Sequence, residues 1–87
     1  MSLDAIRNAV EMTTHPKLSQ LLAQLIEQGG LTIEAAALLL DVPAFMIQRF
    51  ANRLVSLGYA TRSDRDGRYC ATIAGREIDV VMRGPRP

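Results

Sequence analysis

Two helical patterns flank a short turn within residues 31–58, which read LTIEAAALLLDVPAFMIQRFANRLVSLG. Thr32 can cap the first helix, because a threonine hydroxyl accepts a hydrogen bond from the backbone of the first turn. Asp41-Val42-Pro43 then interrupts the pattern, since proline disfavours the helical conformation of the residue before it. A second helix is predicted over 44–57, where apolar residues recur at helical spacing. Its inward positions are Ile47, Phe50, Ala51, Leu54 and Leu57.

Two further helices are predicted before this segment. The first is capped by Ser2 and ends by Thr14, because Pro16 forces His15 out of the helical conformation. Pro16 then begins a second helix, which ends at Gly29-Gly30, where glycine adopts the left-handed cap at little cost. The apolar stripe of the second helix consists of Leu18, Leu21, Leu22, Leu25 and Ile26.

After Gly58 the sequence predicts a hairpin and one last helix. Residues 59–63 and 68–72 carry strand-forming side chains on either side of the turn residues 64–67. Thr72 can cap the final helix. The expected inward positions of that helix are Ala74, Ile78, Val81 and Met82.

Length and composition favour one small domain that is not an enzyme. The 87 residues, 48% apolar and 22% charged, are enough for a single core. The longest apolar run, residues 35–40, is far shorter than the roughly 20 residues of a membrane-spanning helix, so we expect a cytoplasmic protein with no membrane contact. Cys70 and His15 are the only residues of their types, so we expect no catalytic residues, no metal and no cofactor.

These elements predict a mostly α-helical fold with a small β-hairpin. We divide the chain into an N-terminal helix over 1–14, a helix and hairpin domain over 15–83 and a flexible tail over 84–87. The N-terminal helix carries the apolar stripe Leu3, Ile6 and Val10 but is too short to be stable alone. It is therefore a possible dimerisation element, and we expect a homodimer.

Positive charge is concentrated in the second half of the chain. Residues 1–48 carry two cations against five acids, whereas residues 49–87 carry eight arginines against four acids. Of the ten cations, only Lys17 is a lysine. Arginine binds phosphates and base edges with two parallel hydrogen bonds, which favours nucleic acid as a partner. An ordinary mixed surface that is rich in arginine would give the same counts, so charge alone leaves both interpretations open.

The order of helix, turn, helix and hairpin resembles that of the MarR-like winged helix-turn-helix transcriptional regulators. The resemblance extends over residues 31–77. Residues 64–68, DRDGR, look like the wing tip of that family, and residues 71–77, ATIAGRE, are similar to its Leu-Thr-x-x-Gly-Arg signature with Ala71 replacing the leucine. The matching positions in the helices are Leu31, Thr32, Ala37, Leu40, Arg49, Arg53, Leu54 and Gly58.

The resemblance implies a compact, dimeric, sequence-specific transcriptional regulator of a bacterial or phage cytoplasm. The helix over 44–57 would lie in the major groove of double-stranded DNA, and the wing over 59–72 would contact the flanking backbone or the minor groove. A helical wheel and the side-chain chemistry predict the contacts. The base-reading residues would be Phe45, Gln48, Arg49 and Asn52. The backbone or minor-groove residues would be Thr32, Arg53, Ser56, Arg62, Arg65 and Arg68.

A different hypothesis, that the same helix binds protein, rests on apolar residues around the turn. Residues 43–46 are Pro-Ala-Phe-Met, where members of the family usually carry small polar side chains. An exposed apolar patch marks a protein partner, such as that of an adaptor or a phage-type inhibitor. The patch would consist of Leu38, Leu39, Phe45 and Met46.

Each of the two functional hypotheses has an alternative explanation that would weaken it. The N-terminal helix could cover Leu38 and Leu39 and leave only Phe45 exposed, and this coverage is the arrangement that we expect. Arg49 and Arg53 could simply face solvent and pair with acidic residues of the wing. The acidic residues within reach would be Asp64 and Asp66.

Overall fold

The described part of the chain consists of helices and one small sheet. The structure is a computed structural model that describes residues 3–83, so the predicted Ser2 cap and the predicted tail over 84–87 lie outside the described residues. The described residues are mostly α-helical, with one two-stranded antiparallel sheet. The helices are α1 (Leu3–Thr14), α2 (Pro16–Gln28), α3 (Ile33–Leu40), α4 (Ala44–Ser56) and α5 (Ile73–Arg83), and the strands are β1 (Ala60–Arg62) and β2 (Tyr69–Ala71).

The predicted helix boundaries are confirmed at the residues that carry the signals. His15 separates α1 from α2, and Pro16 is the first residue of α2. Gly29 ends α2 in the left-handed conformation, with φ of 73°. The hydroxyl of Thr32 accepts a hydrogen bond from the backbone N–H of Ala35 at 3.2 Å, and the backbone N–H of Gly75 donates to Thr72 Oγ1 at 3.0 Å.

The core lies between α2 and α4, and α1 and α3 each add one buried side chain to it. Four leucines of α2 are buried together with the predicted inward residues Ile47, Ala51 and Leu54 of α4. Phe50 and Leu57 are half-buried against the same core. α1 inserts Met12, which is fully buried.

Both strands of the sheet pack against helices, β1 against α4 and β2 against α2. Ala60, Thr61 and Arg62 pair with Ala71, Cys70 and Tyr69 in antiparallel register, so the predicted hairpin is confirmed with shorter strands than expected. Leu31, between α2 and α3, extends the pairing by exchanging two backbone hydrogen bonds of 3.0 and 2.7 Å with Tyr69. Tyr69 is therefore held by β1 on one side and by the start of the α3 segment on the other.

The prediction for the inward face of α5 is wrong at two positions. Ala74 and Val81 are exposed, whereas Ile78 and Met82 are half-buried against the core. The residue that α5 buries in its first turn is Gly75, which lies against the carbonyl group of Tyr59. Since only a hydrogen atom fits there, Gly75 fixes the rotation of α5 about its axis.

The expected coverage of Leu38 and Leu39 by the N-terminal helix is also wrong. α1 packs against α2 and α5, not against the outer face of α3. Met12 is the side chain that α1 buries in the core, whereas the stripe of Leu3, Ile6 and Val10 is exposed. Within residues 3–83, no helix combines the length and the apolar character that crossing a bilayer requires.

Candidate nucleic-acid interface

The outer face of α4 is open to solvent over its whole length. Ile47, Ala51 and Leu54 turn one side of the helix into the core, so residues half a turn away point outward. No element within residues 3–83 covers this face. The residues exposed on it are Phe45, Arg49, Asn52 and Ser56.

Gln48 lies at the border of this face and joins α4 to the sheet. Its side chain is half-buried, and its Nε2 donates one hydrogen bond to Asn52 Oδ1 at 3.0 Å and another to the hydroxyl of Tyr69 at 2.9 Å. The exposed face of α4 and the base of the hairpin are therefore connected through side chains as well as through the core.

Arg53 lies at the opposite border and is bound by a carboxylate of α1. Its Nε and one terminal nitrogen donate to the two carboxylate oxygens of Glu11, each at 2.5 Å. The alternative in which Arg53 pairs with Asp64 or Asp66 is therefore wrong, because Glu11 accepts the hydrogen bonds of its guanidinium. These hydrogen bonds lower the pKa of Glu11 and raise the pKa of Arg53.

We expect Glu11→Gln to reduce stability at neutral pH but not in acid. A carboxylate whose pKa is lower in the folded than in the unfolded protein stabilises the fold above its ordinary pKa of 4.5, and this contribution disappears as the pH falls through the lowered value. Thermal unfolding of both proteins at pH 7 and at successively lower pH would measure the difference. Glu27→Gln, which removes an exposed carboxylate of α2, is the control. A difference that persists in strong acid would contradict the ion pair.

Arg49 projects between the two borders and lines a shallow hollow beside α1. Arg49 is exposed, and none of the described acidic residues forms an ion pair with it. Its guanidinium is therefore accessible to an external anion or base edge. The hollow has a volume of about 330 Å³ and is lined by Glu11, His15, Leu18, Met46, Arg49, Phe50 and Arg53.

The turn of the hairpin is shaped by Asp66, one of its two acidic residues. The backbone N–H of Arg68 donates to Asp66 Oδ1 at 3.1 Å, and this hydrogen bond lowers the pKa of Asp66. Gly67 adopts a left-handed conformation, with φ of 71°. Arg68 Nε is 3.8 Å from Asp66 Oδ2, a loose pair between two exposed side chains. The exposed arginines of the hairpin are Arg62, Arg65 and Arg68.

Thr32 and Ser56 are the two hydroxyl residues of the predicted interface. The Thr32 hydroxyl accepts the cap hydrogen bond of α3, and its own hydrogen can still be donated to an external acceptor such as a phosphate. Ser56 is exposed in the last turn of α4.

An apolar surface adjoins the start of α4. Leu38 is 86% exposed, Leu39 is 49% exposed and Phe45 is 66% exposed. Met46, the fourth predicted member of the patch, is half-buried against the core. The apolar patch therefore consists of Leu38, Leu39 and Phe45.

Sequence reasoning missed two residues of this region, Glu11 and Tyr69. Glu11 is 42 positions from Arg53, and Tyr69 is 21 positions from Gln48, so no local spacing relates either pair. The only available signal was for Tyr69, an aromatic residue with a hydroxyl in a strand predicted to follow the helix over 44–57. The chain matches no protein-family model, no curated protein and no solved structure.

Proposed function

We propose that this chain is a winged helix-turn-helix domain, similar to the MarR-like regulators, that binds double-stranded DNA and regulates transcription. α4 would enter the major groove, and the hairpin would follow the flanking backbone or the minor groove. The fold class agrees with this proposal, because α3, a three-residue turn, α4 and an antiparallel hairpin follow one another in the chain.

The single observation that carries the proposal is the uncovered outer face of α4 beside a cationic hairpin. Arg49 is exposed near the middle of that face and has no acidic partner among residues 3–83. Arginine donates two parallel hydrogen bonds to the O6 and N7 atoms of guanine, so Arg49 is the first candidate for base reading. Gln48, Asn52 and Phe45 would read neighbouring bases.

The remaining cations would hold the duplex in register through its phosphates. Arg62 and Arg68 are exposed on the hairpin, and Arg65 at the tip could enter a narrow minor groove. Arg53 donates to Glu11 through Nε and one terminal nitrogen, so its other terminal nitrogen could donate to a phosphate while the pair with Glu11 is kept. Thr32 and Ser56 would add hydroxyl contacts at the ends.

A homodimer would let this small DNA-binding domain contact two half-sites on the duplex. The stripe of α1 supports self-association, because its apolar residues Leu3, Ile6 and Val10 are exposed. α1 packs against α5, so the two helices can form one surface. α5 adds Val80 and Val81, which are also exposed. A monomeric mass in solution at micromolar concentration would contradict this part of the proposal.

DNA binding should weaken steeply with salt. Each phosphate that a cation neutralises contributes a slope of about −0.9 to log affinity against log salt concentration. We therefore expect Arg62→Ala to weaken binding to random duplexes and to reduce the slope by about one. Fluorescence titrations of a random-sequence duplex at several salt concentrations would measure both. Arg76→Ala, which removes an exposed arginine of α5 away from the interface, should leave the slope unchanged. Absence of duplex binding at low salt would refute the proposal.

A second candidate function is that of a protein-binding module, such as an adaptor or a phage-type inhibitor. The observation in its favour is the apolar patch of Leu38, Leu39 and Phe45, which lies at the start of the same helix. Contiguous exposed apolar side chains are typical of protein interfaces. In this case the arginines of α4 would form the polar rim of the interface and not its centre.

A further inference from the structure

The hydroxyl of Tyr69 is the only group of the hairpin that touches a predicted base-reading residue through a hydrogen bond within residues 3–83. Tyr69 is buried, with 5% of its surface exposed, but its hydroxyl reaches the border of the α4 face and accepts a hydrogen bond from Gln48 Nε2 at 2.9 Å. Gln48 itself is half-buried, so this contact is shielded on one side from competing water.

Tyr69 has a fixed position, because its backbone is paired on both edges. It lies opposite Arg62 in the hairpin, and it exchanges two backbone hydrogen bonds with Leu31. A side chain on a strand that is paired on both sides is a better support than one on a loop. Tyr69 can therefore hold the Gln48 amide in one orientation.

The hydrogen bonds determine what Gln48 and Asn52 offer to a ligand. An amide nitrogen has two hydrogens, and those of Gln48 go to Tyr69 and to Asn52 Oδ1. What stays available is the Oε1 acceptor of Gln48 and the Nδ2 donor of Asn52. The two amides therefore present one acceptor beside one donor.

Among single bases, only adenine matches such a pair in the major groove. Adenine presents the N7 acceptor next to the N6 donor, guanine presents two acceptors, cytosine presents one donor, and thymine presents an acceptor and a methyl group. We infer that Gln48 and Asn52 together read the adenine of one A·T pair, and that Tyr69 is the positioning residue that determines this specificity. The inference rests on the proposed DNA-binding function and adds the identity of one base pair to it.

The test compares Tyr69→Phe with Tyr59→Phe. Tyr69→Phe removes only the hydroxyl that holds Gln48, whereas Tyr59 is the other buried tyrosine and has no hydrogen bond to α4 side chains within the described residues. The preferred site of the wild-type protein is first selected from random-sequence duplexes. Affinities are then measured for duplexes in which each base pair of that site is replaced in turn.

We expect the wild-type protein to prefer A·T over its replacements at one position by about 5- to 150-fold. Tyr69→Phe should lose most of this preference at that position, while preferences at other positions and the salt slope stay unchanged. Tyr59→Phe should behave as wild type. A merely structural role of Tyr69 would instead lower affinity for all duplexes equally, and this result would overturn the inference.

A second variant keeps the test decisive if Tyr69→Phe folds poorly. Gln48→Met keeps the length of the side chain and removes the amide, and it should lose the preference at the same base pair. Because Tyr69 acts through Gln48, the double variant should lose no more than Gln48→Met alone. Additive losses, or a selected site without the A·T position, would overturn the inference. A wild-type protein that binds no duplex would overturn the proposed function, which is a different result.

Discussion

Arg49→Ala is expected to weaken binding to the preferred duplex by about 1–3 kcal/mol, a loss of about 5- to 150-fold, and to relax the base preference at one position. Arg49 lies in the open face of α4, between the border held by Gln48 and Tyr69 and the border held by Arg53 and Glu11. A bidentate contact with guanine is lost completely in the alanine variant. The loss should therefore depend on sequence, with a larger effect on the preferred duplex than on random duplexes.

Titrations of the selected duplex and of a random duplex with the same protein samples would measure this difference. Arg76→Ala carries the same change of charge on α5 and should leave both affinities unchanged. Arg49→Lys keeps the charge but lacks the planar fork, so it should restore binding to random duplexes more fully than specificity. Equal losses on both duplexes would assign Arg49 to a phosphate.

An unchanged affinity in Arg49→Ala would favour the protein-binding function. The discriminating variant is then Phe45→Ala, with capture of a protein partner and not DNA affinity as the measurement, because Phe45 belongs to the apolar patch and a large exposed aromatic side chain is a typical anchor of protein interfaces. The two variants thus separate the two functions on one helix.

Most of the fold could be predicted because its boundaries depend on local chemistry. Pro16 and Gly29 begin and end α2, and Thr32 and Thr72 cap α3 and α5 through their own hydroxyls. Each of these signals acts within four residues of the boundary that it determines. The inward faces of α2 and α4 follow from apolar periodicity for the same reason.

The candidate site was predicted in part, because its partners come from distant elements. The exposed residues of α4 follow from the helical wheel once its buried face is known. The hydrogen bonds of Gln48 and Arg53 depend on how β2 and α1 pack against α4, and no pattern within one element contains that information. The exposure of Leu38 and Leu39 was missed for the same reason, since it depends on which helices α1 packs against.

The rotation of α5 shows how one residue can decide against an apolar pattern. The pattern favoured Val81 as an inward residue, but Val81 is exposed and Gly75 is buried. The close approach of Gly75 to Tyr59 aligns the first turn of α5 with the end of the α4 segment. A glycine in the first turn of a helix is a sequence signal for such an approach, since glycine otherwise costs about 1 kcal/mol relative to alanine.

Gly75→Ala is therefore expected to destabilise the protein by about 1–3 kcal/mol, although alanine is the better helix former. A Cβ atom at position 75 would overlap the carbonyl oxygen of Tyr59 and approach its carbonyl carbon and Cα at 3.0 and 3.2 Å. The Tyr59 backbone cannot easily retreat, because its N–H donates to Leu54 and its C=O accepts from Thr72, at 2.9 and 3.0 Å.

The gain in helix propensity, about 1 kcal/mol, is smaller than the cost of moving α5 away from this peptide. The free energy of unfolding should therefore fall and not rise. Thermal unfolding would measure the change, with an expected fall in Tm of about 4–8 °C for each kcal/mol in a domain of this size. Arg76→Ala, at the next and exposed position of α5, is the matched control and should change Tm little. An unchanged or raised Tm in Gly75→Ala would mean that α5 packs in a different rotation. Val81 would then be a core residue and not part of an exposed surface available to a second copy of the chain.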